Sequence, residues 1–267
     1  MRKRILGKNG PLVSAIGIGA MSFTNFYGPT SEQESHLLLT AALDMDIDHI
    51  DTANVYGMGL SESVIGSFLN KQGKQKNDLF RIASKAAVCR DPETNKRSFN
   101  NTFGHLKEEL DGSLQRLGLD HIEMLYVHRR DPNIPIEDVT ETLASFMKDG
   151  KIKRFGFSEI SPTSLLQASK VHHVAAVQSE YSLSVRSPEL GLVQTTGLTD
   201  TALVAFSPVG RGLLTDTPPS LNRAKSIDFF RENPRFQEPN LSMNIAQTER
   251  FRSFAKDKGI SAASLAI

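Results

Sequence analysis

The sequence predicts an α/β fold of the (β/α)8 TIM-barrel class, opened by a β-hairpin and lacking its eighth strand. Three observations predict it. Strand-like and helix-like patterns alternate from about residue 15 to residue 206, which argues for parallel βαβ units over a sandwich or a bundle. Three of the strand-like runs, HIDTANVYG (49–57), FRIASK (80–85) and MLYVH (124–128), end in polar or ionisable groups, as strands do at the catalytic face of a barrel. The 267 residues also match the roughly 250 that one such barrel needs.

The elements follow in order. Residues 4–7 and 12–15 flank Asn9-Gly10, a strong hairpin signal, and 15–21 reads as a strand with two glycines. Residues 30–44 have helical periodicity, with Ser31 as N-cap and Glu34 three residues on to complete a capping box. Strands are then predicted over 47–51, 80–85, 122–128, 152–157, 174–178 and 202–206. Helices are predicted over 61–71, 99–117, 137–149, 161–170 and 187–197. Gly118, Gly150 and Gly197 stand where helices end, since glycine takes the left-handed conformation of a C-cap without strain. After Ser207 the alternation stops. Residues 207–240 hold five of the twelve prolines and read as a long irregular loop, expected to form a mobile flap. A helix resumes over about 243–258, and 261–267 reads as the start of another. Seven barrel strands follow the hairpin, so residues 1–267 are expected to form a single barrel domain that is incomplete at its C-terminal end.

Bulk properties exclude several classes. A net charge of +1 gives no electrostatic basis for binding nucleic acid or an anionic membrane. Cys89 is the single cysteine, so no disulfide can form within the chain, and a reducing, cytoplasmic location is expected. The start MRKRILGKNG has no apolar stretch behind its basic residues, and no apolar run reaches 18 residues, so neither a signal peptide nor a membrane span is expected. His172-His173 has no third ligand in sight, so no metal is expected. Gly17-Ile18-Gly19-Ala20-Met21-Ser22 begins like a dinucleotide fingerprint but lacks the third glycine, which argues against a Rossmann fold.

Asp51, Tyr56, Lys85 and His128 are the candidate catalytic groups. Taken singly, a tyrosine near a strand end is usually a rim residue and an aspartate before threonine is often a helix cap. Together they supply an acid, a phenol, an ammonium and an imidazole. A phenol ordinarily titrates near 10, and a neighbouring cation makes it a usable proton donor.

At these residues the chain resembles the aldo-keto reductase family. IDTANVYGMGLSE (50–62) is similar to the family's first signature and LQRLGLDHIEMLYVHRRDP (114–132) to its second. GKIKRFGFSEIS (150–161) and AAVQSEYS (175–182) resemble its nicotinamide-contacting segments, and FSPVGRGLL (206–214) its pyrophosphate loop. The Ser-Glu pair 158–159 resembles a subgroup of bacterial and fungal reductases. The resemblance implies reduction of a small carbonyl substrate by NADPH. Tyr56 would be the proton donor, Lys85 would tune it, Asp51 would hold Lys85, and His128 would aim the carbonyl. It implies that Gly19 and Met21 lie beneath the cofactor, and that Ser158, Glu159 and Gln178 meet the carboxamide. Phe206 would stack on the nicotinamide, and Ser207, Val209, Gly210 and Arg211 would meet the pyrophosphate. The preference for NADPH over NADH is inherited from the family, because its basic residues for the adenosine phosphate would lie past Ile267. The subgroup implies small aldehydes, aromatic ones or pyridoxal among them. Two alternatives stand beside the enzyme: a cofactor-binding regulatory subunit like the related beta subunits of potassium channels, and an inactive truncated chain. Oligomeric state is not readable.

Overall fold

The computed structural model describes residues 1–73, 78–91, 93–94 and 96–267. β1 (Lys3–Ile5) and β2 (Leu12–Ser14) form the expected antiparallel hairpin, with Lys3 opposite Ser14. Its connection turns through left-handed Gly7 and Asn9. A β-carbon on Gly7 would lie 2.4 Å from the carbonyl oxygen of Ala175, so only glycine fits there.

The chain then alternates. β3 (Ile18–Gly19) precedes α1 (Glu32–Asp44), β4 (His49–Asp51) precedes α2 (Leu60–Lys71), and β5 (Arg81–Ala86) follows. β6 (Val88–Arg90) and β7 (Arg97–Phe99) form a second antiparallel hairpin. Next come α3 (Phe103–Leu117), β8 (Ile122–Val127), α4 (Ile136–Lys148), β9 (Ile152–Ser158), α5 (Pro162–Val171), β10 (Ala176–Glu180), α6 (Leu192–Leu198) and β11 (Ala202–Phe206). Among the described residues one seven-stranded sheet runs in the order β11-β10-β9-β8-β5-β4-β3, and β3 through β10 pair in parallel. This is the barrel-type α/β fold read from the sequence, with seven of its strands.

Local chemistry sets the helix ends. Ser31 and Glu34 make both bonds of the capping box on α1. Gly118 closes α3 in the left-handed conformation, and Ser161 caps α5 with Pro162 at its first position. Three sequence expectations are corrected. The helix expected over 99–117 begins only at Phe103, because Phe99 is the last residue of β7. The helix expected over 187–197 is a 3-10 turn (Ser187–Leu190) and then α6, broken at Gly191 with φ 137. The helix expected over 243–258 is two shorter ones, Asn240–Gln247 and Glu249–Asp257.

The chain forms two compact units. The first comprises Met1–Asn25, Pro29–Gln178 and Gly191–Val204, the second Phe26–Gly28, Ser179–Leu190 and Ala205–Ile267. In the first unit the outward faces of the strands, among them Ile50, Ile82, Leu125, Val127, Phe155 and Phe157, pack on helix residues such as Leu39, Ile65, Leu110, Leu143 and Leu165. The inward faces make a smaller cluster of Ala83, Met124, Tyr126 and Ala176, with Leu6 and Val13 from the hairpin. Strand alternation explains the division: Met124 and Tyr126 point one way, Leu125 and Val127 the other. The second unit is more regular than the sequence suggests. Short helices α7 (Leu221–Ser226), α8 (Asp228–Glu232), α9 (Asn240–Gln247), α10 (Glu249–Asp257) and α11 (Ala262–Ala266) follow β11. Leu213, Ile227, Phe230, Phe236 and Leu241 make a core of their own there, with the Phe230 and Phe236 rings stacked 4.3 Å apart. No described helix is long and apolar enough to cross a membrane.

Candidate active site

The polar site forms where the inward-facing rows of β4, β5 and β8 reach their C-terminal ends. β4 and β5 are in register at Asp51 and Ala83, and β5 and β8 at Lys85 and Tyr126. Asp51 is therefore the last residue of β4, Lys85 the penultimate residue of β5, and His128 the first residue past β8. The chain leaves β4 through a run of turns at 54–59 that carries Tyr56.

Lys85 is the centre of the arrangement. Its side chain is fully buried. Nζ donates to the Asp51 carboxylate, to the Thr52 carbonyl oxygen at 2.8 Å and to the Tyr56 hydroxyl oxygen at 3.4 Å. Three acceptors match the three N–H groups of an ammonium; a neutral amine could serve only two. Burial works against the charge, but Asp51 and then Tyr56 outweigh it and hold the Lys85 pKa above its ordinary value. Asp51 is shared, because its second oxygen accepts a 2.7 Å bond from the Gln178 side-chain amide.

His128 lies edge-on to the Tyr56 ring, with centroids 5.8 Å apart. Burial first, and then the charges of Lys85, Arg129 and Arg97, push its pKa well below the usual imidazole value. The ring is therefore neutral near pH 7, with one nitrogen donor and one acceptor, and Nδ1 is buried with no hydrogen-bond partner among the described residues. Below this group the fully buried Tyr126 fills the sheet interior. Gly156 makes room for it, since a β-carbon there would meet the Tyr126 ring at 2.6 Å and the Ala176 carbonyl oxygen at 2.4 Å.

The remaining predicted residues in the first unit lie around the same strand ends. Gly19 is in register with Asp51, and a β-carbon on it would meet nothing within 4 Å, so an open face lies there. Met21 sits in the 3-10 turn that follows, partly exposed. Ser158 is buried and accepts a 3.0 Å bond from Arg129. Glu159 is exposed, with φ 56, and its amide donates to the Gln178 carbonyl oxygen. In the second unit Phe206 ends β11. Ser207, Gly210, Arg211 and Gly212 all take positive φ, a tight left-handed loop. The Gly210 amide donates to the Ser207 carbonyl oxygen, and Val209 accepts from Gly212. Arg211 bonds the Tyr27 hydroxyl at 3.0 Å and lies 4.7 Å over the Phe229 ring.

Sequence reading missed several contributors. The Thr52 carbonyl carries no side-chain signal. Arg129 was visible only as part of His128-Arg129-Arg130; it donates to the His128 carbonyl oxygen at 2.6 Å. Buried Glu62 accepts from Ser84 and, at 2.7 Å, from Arg116, so α2 and α3 are tied to β5 directly beside Lys85. Cys89 lies 3.4 Å from His105 Nε2, and burial raises its pKa, which makes it a poor nucleophile. Among the described residues no group of three or more His, Cys, Asp or Glu side chains could hold a metal.

The sequence matches the Aldo/keto reductase family over residues 15–267. It is 34% identical over 258 residues to the NADP(+) aldo-keto reductase yakc of Schizosaccharomyces pombe, covering 96% of this chain and 75% of that protein. It is 37% identical over 239 residues to aldo-keto reductase str7 of Strobilurus tenacellus, covering 86% and 68%. Among solved structures, glycerol dehydrogenase from Gluconobacter oxydans aligns with a TM-score of 0.83 at 26% identity, over 99% of this chain and 80% of that one. An aldo-keto reductase from Bacillus halodurans, solved in its holo form, aligns with a TM-score of 0.73 at 27% identity, over 82% and 70%. A parallel βα sheet whose strand ends gather an acid, a phenol, a lysine and an imidazole, and a match over nearly the whole chain, lead to one conclusion: the chain belongs to the aldo/keto reductase family.

Proposed function

We propose that the protein is an NADPH-dependent oxidoreductase that reduces the carbonyl of a small aldehyde or ketone to an alcohol. The observation that carries this reading is the buried Lys85 ammonium, held by Asp51 and Thr52 and pointed at the Tyr56 oxygen. The cofactor reading is supported by the NADP(+) relative and by the open face at Gly19 beside Asp51. Gly19, Met21, Ser158, Glu159 and Gln178 are the residues of the first unit that would hold the nicotinamide end. In the second unit Phe206, Ser207, Val209, Gly210 and Arg211 are the proposed contacts for the ring and pyrophosphate. Reduced nicotinamide, when bound, supplies a hydride to the carbonyl carbon.

What the chain must supply is the proton. Tyr56 oxygen already accepts from Lys85, so its own hydrogen is directed to another acceptor, and the substrate oxygen is the proposed one. As the proton leaves, the phenolate oxygen remains beside the ammonium, and Asp51 keeps that ammonium charged and oriented. His128, neutral and edge-on to Tyr56, would donate a second hydrogen bond to the same substrate oxygen and set its angle. Burial of Lys85 and His128 excludes water from this network, which strengthens each electrostatic contact.

Two measurements test the reading. Fluorescence titration with NADPH and NADH should show binding, tighter for NADPH. NADPH oxidation should then depend on an added aldehyde. Tight NADPH binding with no turnover of any aldehyde in a broad panel would argue against an enzyme.

A further inference from the structure

The turn that carries Tyr56 keeps its curve through its own backbone. The Tyr56 amide donates to the Ala53 carbonyl oxygen at 3.1 Å, Met58 to Val55 at 3.3 Å and Leu60 to Gly57 at 3.2 Å. The entry is pinned to β5, because the Asn54 amide donates to the Lys85 carbonyl oxygen at 3.2 Å. The exit is pinned at Ser61, whose hydroxyl donates to the Ala20 carbonyl oxygen at 2.8 Å. Bonds at the two ends leave the turn free to tilt about the line that joins them. A contact from the side is needed to fix that tilt.

Helix α3 supplies it. Glu109, Ser113 and Arg116 lie at i, i+4 and i+7, on one face of the helix. Asn54 is buried, and its Nδ2 donates to the Glu109 carboxylate. Its Oδ1 has no hydrogen-bond partner among the described residues, so the bond to Glu109 is what holds this side chain. At the far end of the turn, a β-carbon on Gly59 would lie 2.6 Å from Cδ of Arg116, whose Nε donates to Glu62 at 2.7 Å. Tyr56 therefore rides between two residues that both rest on α3. An apolar pair could pack the turn there without burying an orphan oxygen, which costs stability. What the Asn54–Glu109 bond adds is direction.

Resting on the carbonyl-reductase reading, we infer that Glu109 is a positioning residue for Tyr56. Through Asn54 it sets the tilt of the 54–59 turn, and with it the reach of the phenol toward Lys85 and the substrate oxygen. The Lys85–Tyr56 contact of 3.4 Å is at the long limit of a hydrogen bond, so a small tilt breaks it. A misplacement of about 1 Å in such a group costs about a hundredfold in rate.

The experiment measures aldehyde reduction in the unaltered protein, Glu109→Leu and Glu109→Gln, each alone and combined with Tyr56→Phe, with NADPH affinity read by fluorescence. Glu109→Leu should lower kcat by about tenfold to a hundredfold, with the aldehyde KM and NADPH affinity held within about threefold. It should also move the alkaline limb of the pH–rate profile upward, because the phenol leaves the ammonium. Glu109→Gln keeps an oxygen acceptor of the same reach and should restore kcat to within about threefold of the unaltered protein. With Tyr56→Phe already present, Glu109→Leu should change the residual kcat by less than about twofold, since the group it positions is gone. Asn54→Ala cuts the same contact from its other end and should reproduce the loss in kcat, which keeps the test open should Glu109→Leu fold poorly. An unchanged kcat in folded Glu109→Leu or Asn54→Ala overturns the inference. So does a loss that appears in KM or NADPH affinity, or one that persists in full beside Tyr56→Phe. In each of these cases turnover by the unaltered protein leaves the reductase reading standing. No aldehyde turnover by the unaltered protein overturns that reading, and this inference with it.

Discussion

Lys85 acts as the pivot between Asp51 and Tyr56, so the two ends of that chain of contacts should fail differently. Tyr56→Phe removes the donor but keeps the ring, and should lower kcat by about a hundredfold to ten-thousandfold while NADPH affinity, read by fluorescence, is retained. Lys85→Met should be at least as damaging and should also move the alkaline limb of the pH–rate profile upward. A limb that stays in place would show that Lys85 does not tune the donor. Histidine supplies a stability test. His49 and His128 are both buried, and burial holds the pKa of each below the ordinary imidazole value. The unfolded chain therefore takes up these protons first as pH falls. Their contribution is complete above about pH 6.5 and lost below it, so the thermal midpoint should drop between about pH 7 and about pH 5. An unchanged midpoint over that range would contradict the burial of both rings. The four catalytic candidates were legible in the sequence because each is a chemically unusual residue at the end of a strand-like run. The Gln178–Asp51 bond was not, because it joins residues 127 positions apart and depends on sheet curvature that no local pattern encodes.

Helix packing behind β5 has a similar dependence on one interface. α2 and α3 approach so closely that a β-carbon on Gly66 would lie 2.1 Å from the Arg116 carbonyl oxygen. Within the same interface the fully buried Glu62 carboxylate meets Arg116. Gly66→Ala should therefore destabilise by about 1–3 kcal/mol through overpacking, measured by urea denaturation. Glu62→Gln should cost about 1–3 kcal/mol, because it removes the charge-assisted bond to Arg116, whose own charge is partly open to water. A loss below 1 kcal/mol in Glu62→Gln would mean the pair contributes little. The helices on this face were predicted within a few residues, since apolar period and capping residues agree. The β6–β7 hairpin was not, because its strands are three residues each and no Asn-Gly or Asp-Gly pair marks its turn. The split between α9 and α10 was hidden for another reason: Thr248 bonds back to the Asn244 carbonyl oxygen at 2.9 Å, a local competitor to helix continuation.

Across the whole chain, each compact unit carries its own core, and the second one has short helices where the prolines of 207–240 suggested an irregular loop. Pro218, Pro219, Pro234 and Pro239 lie at or between the starts of short helices, where a missing amide costs nothing, and the aromatic side chains between them supply the cohesion that a periodicity search cannot register. Phe236→Ala should cost about 3–5 kcal/mol locally and raise hydrogen exchange across 221–247, with amides of β5, β8 and β9 still protected. Uniform loss of protection over the whole chain would show that the two cores melt as one. The contrast between the two faces of the sheet in the first unit has a consequence for adaptation. The broad apolar layer lies between strands and helices, whereas the inner layer is thin and leads into the polar strand ends. Residues that hold the molecule together are thus largely different from residues that touch a ligand. Successive changes of substrate can accumulate on the inner rows and connecting loops without eroding the scaffold, which leaves this architecture room to diversify under selection.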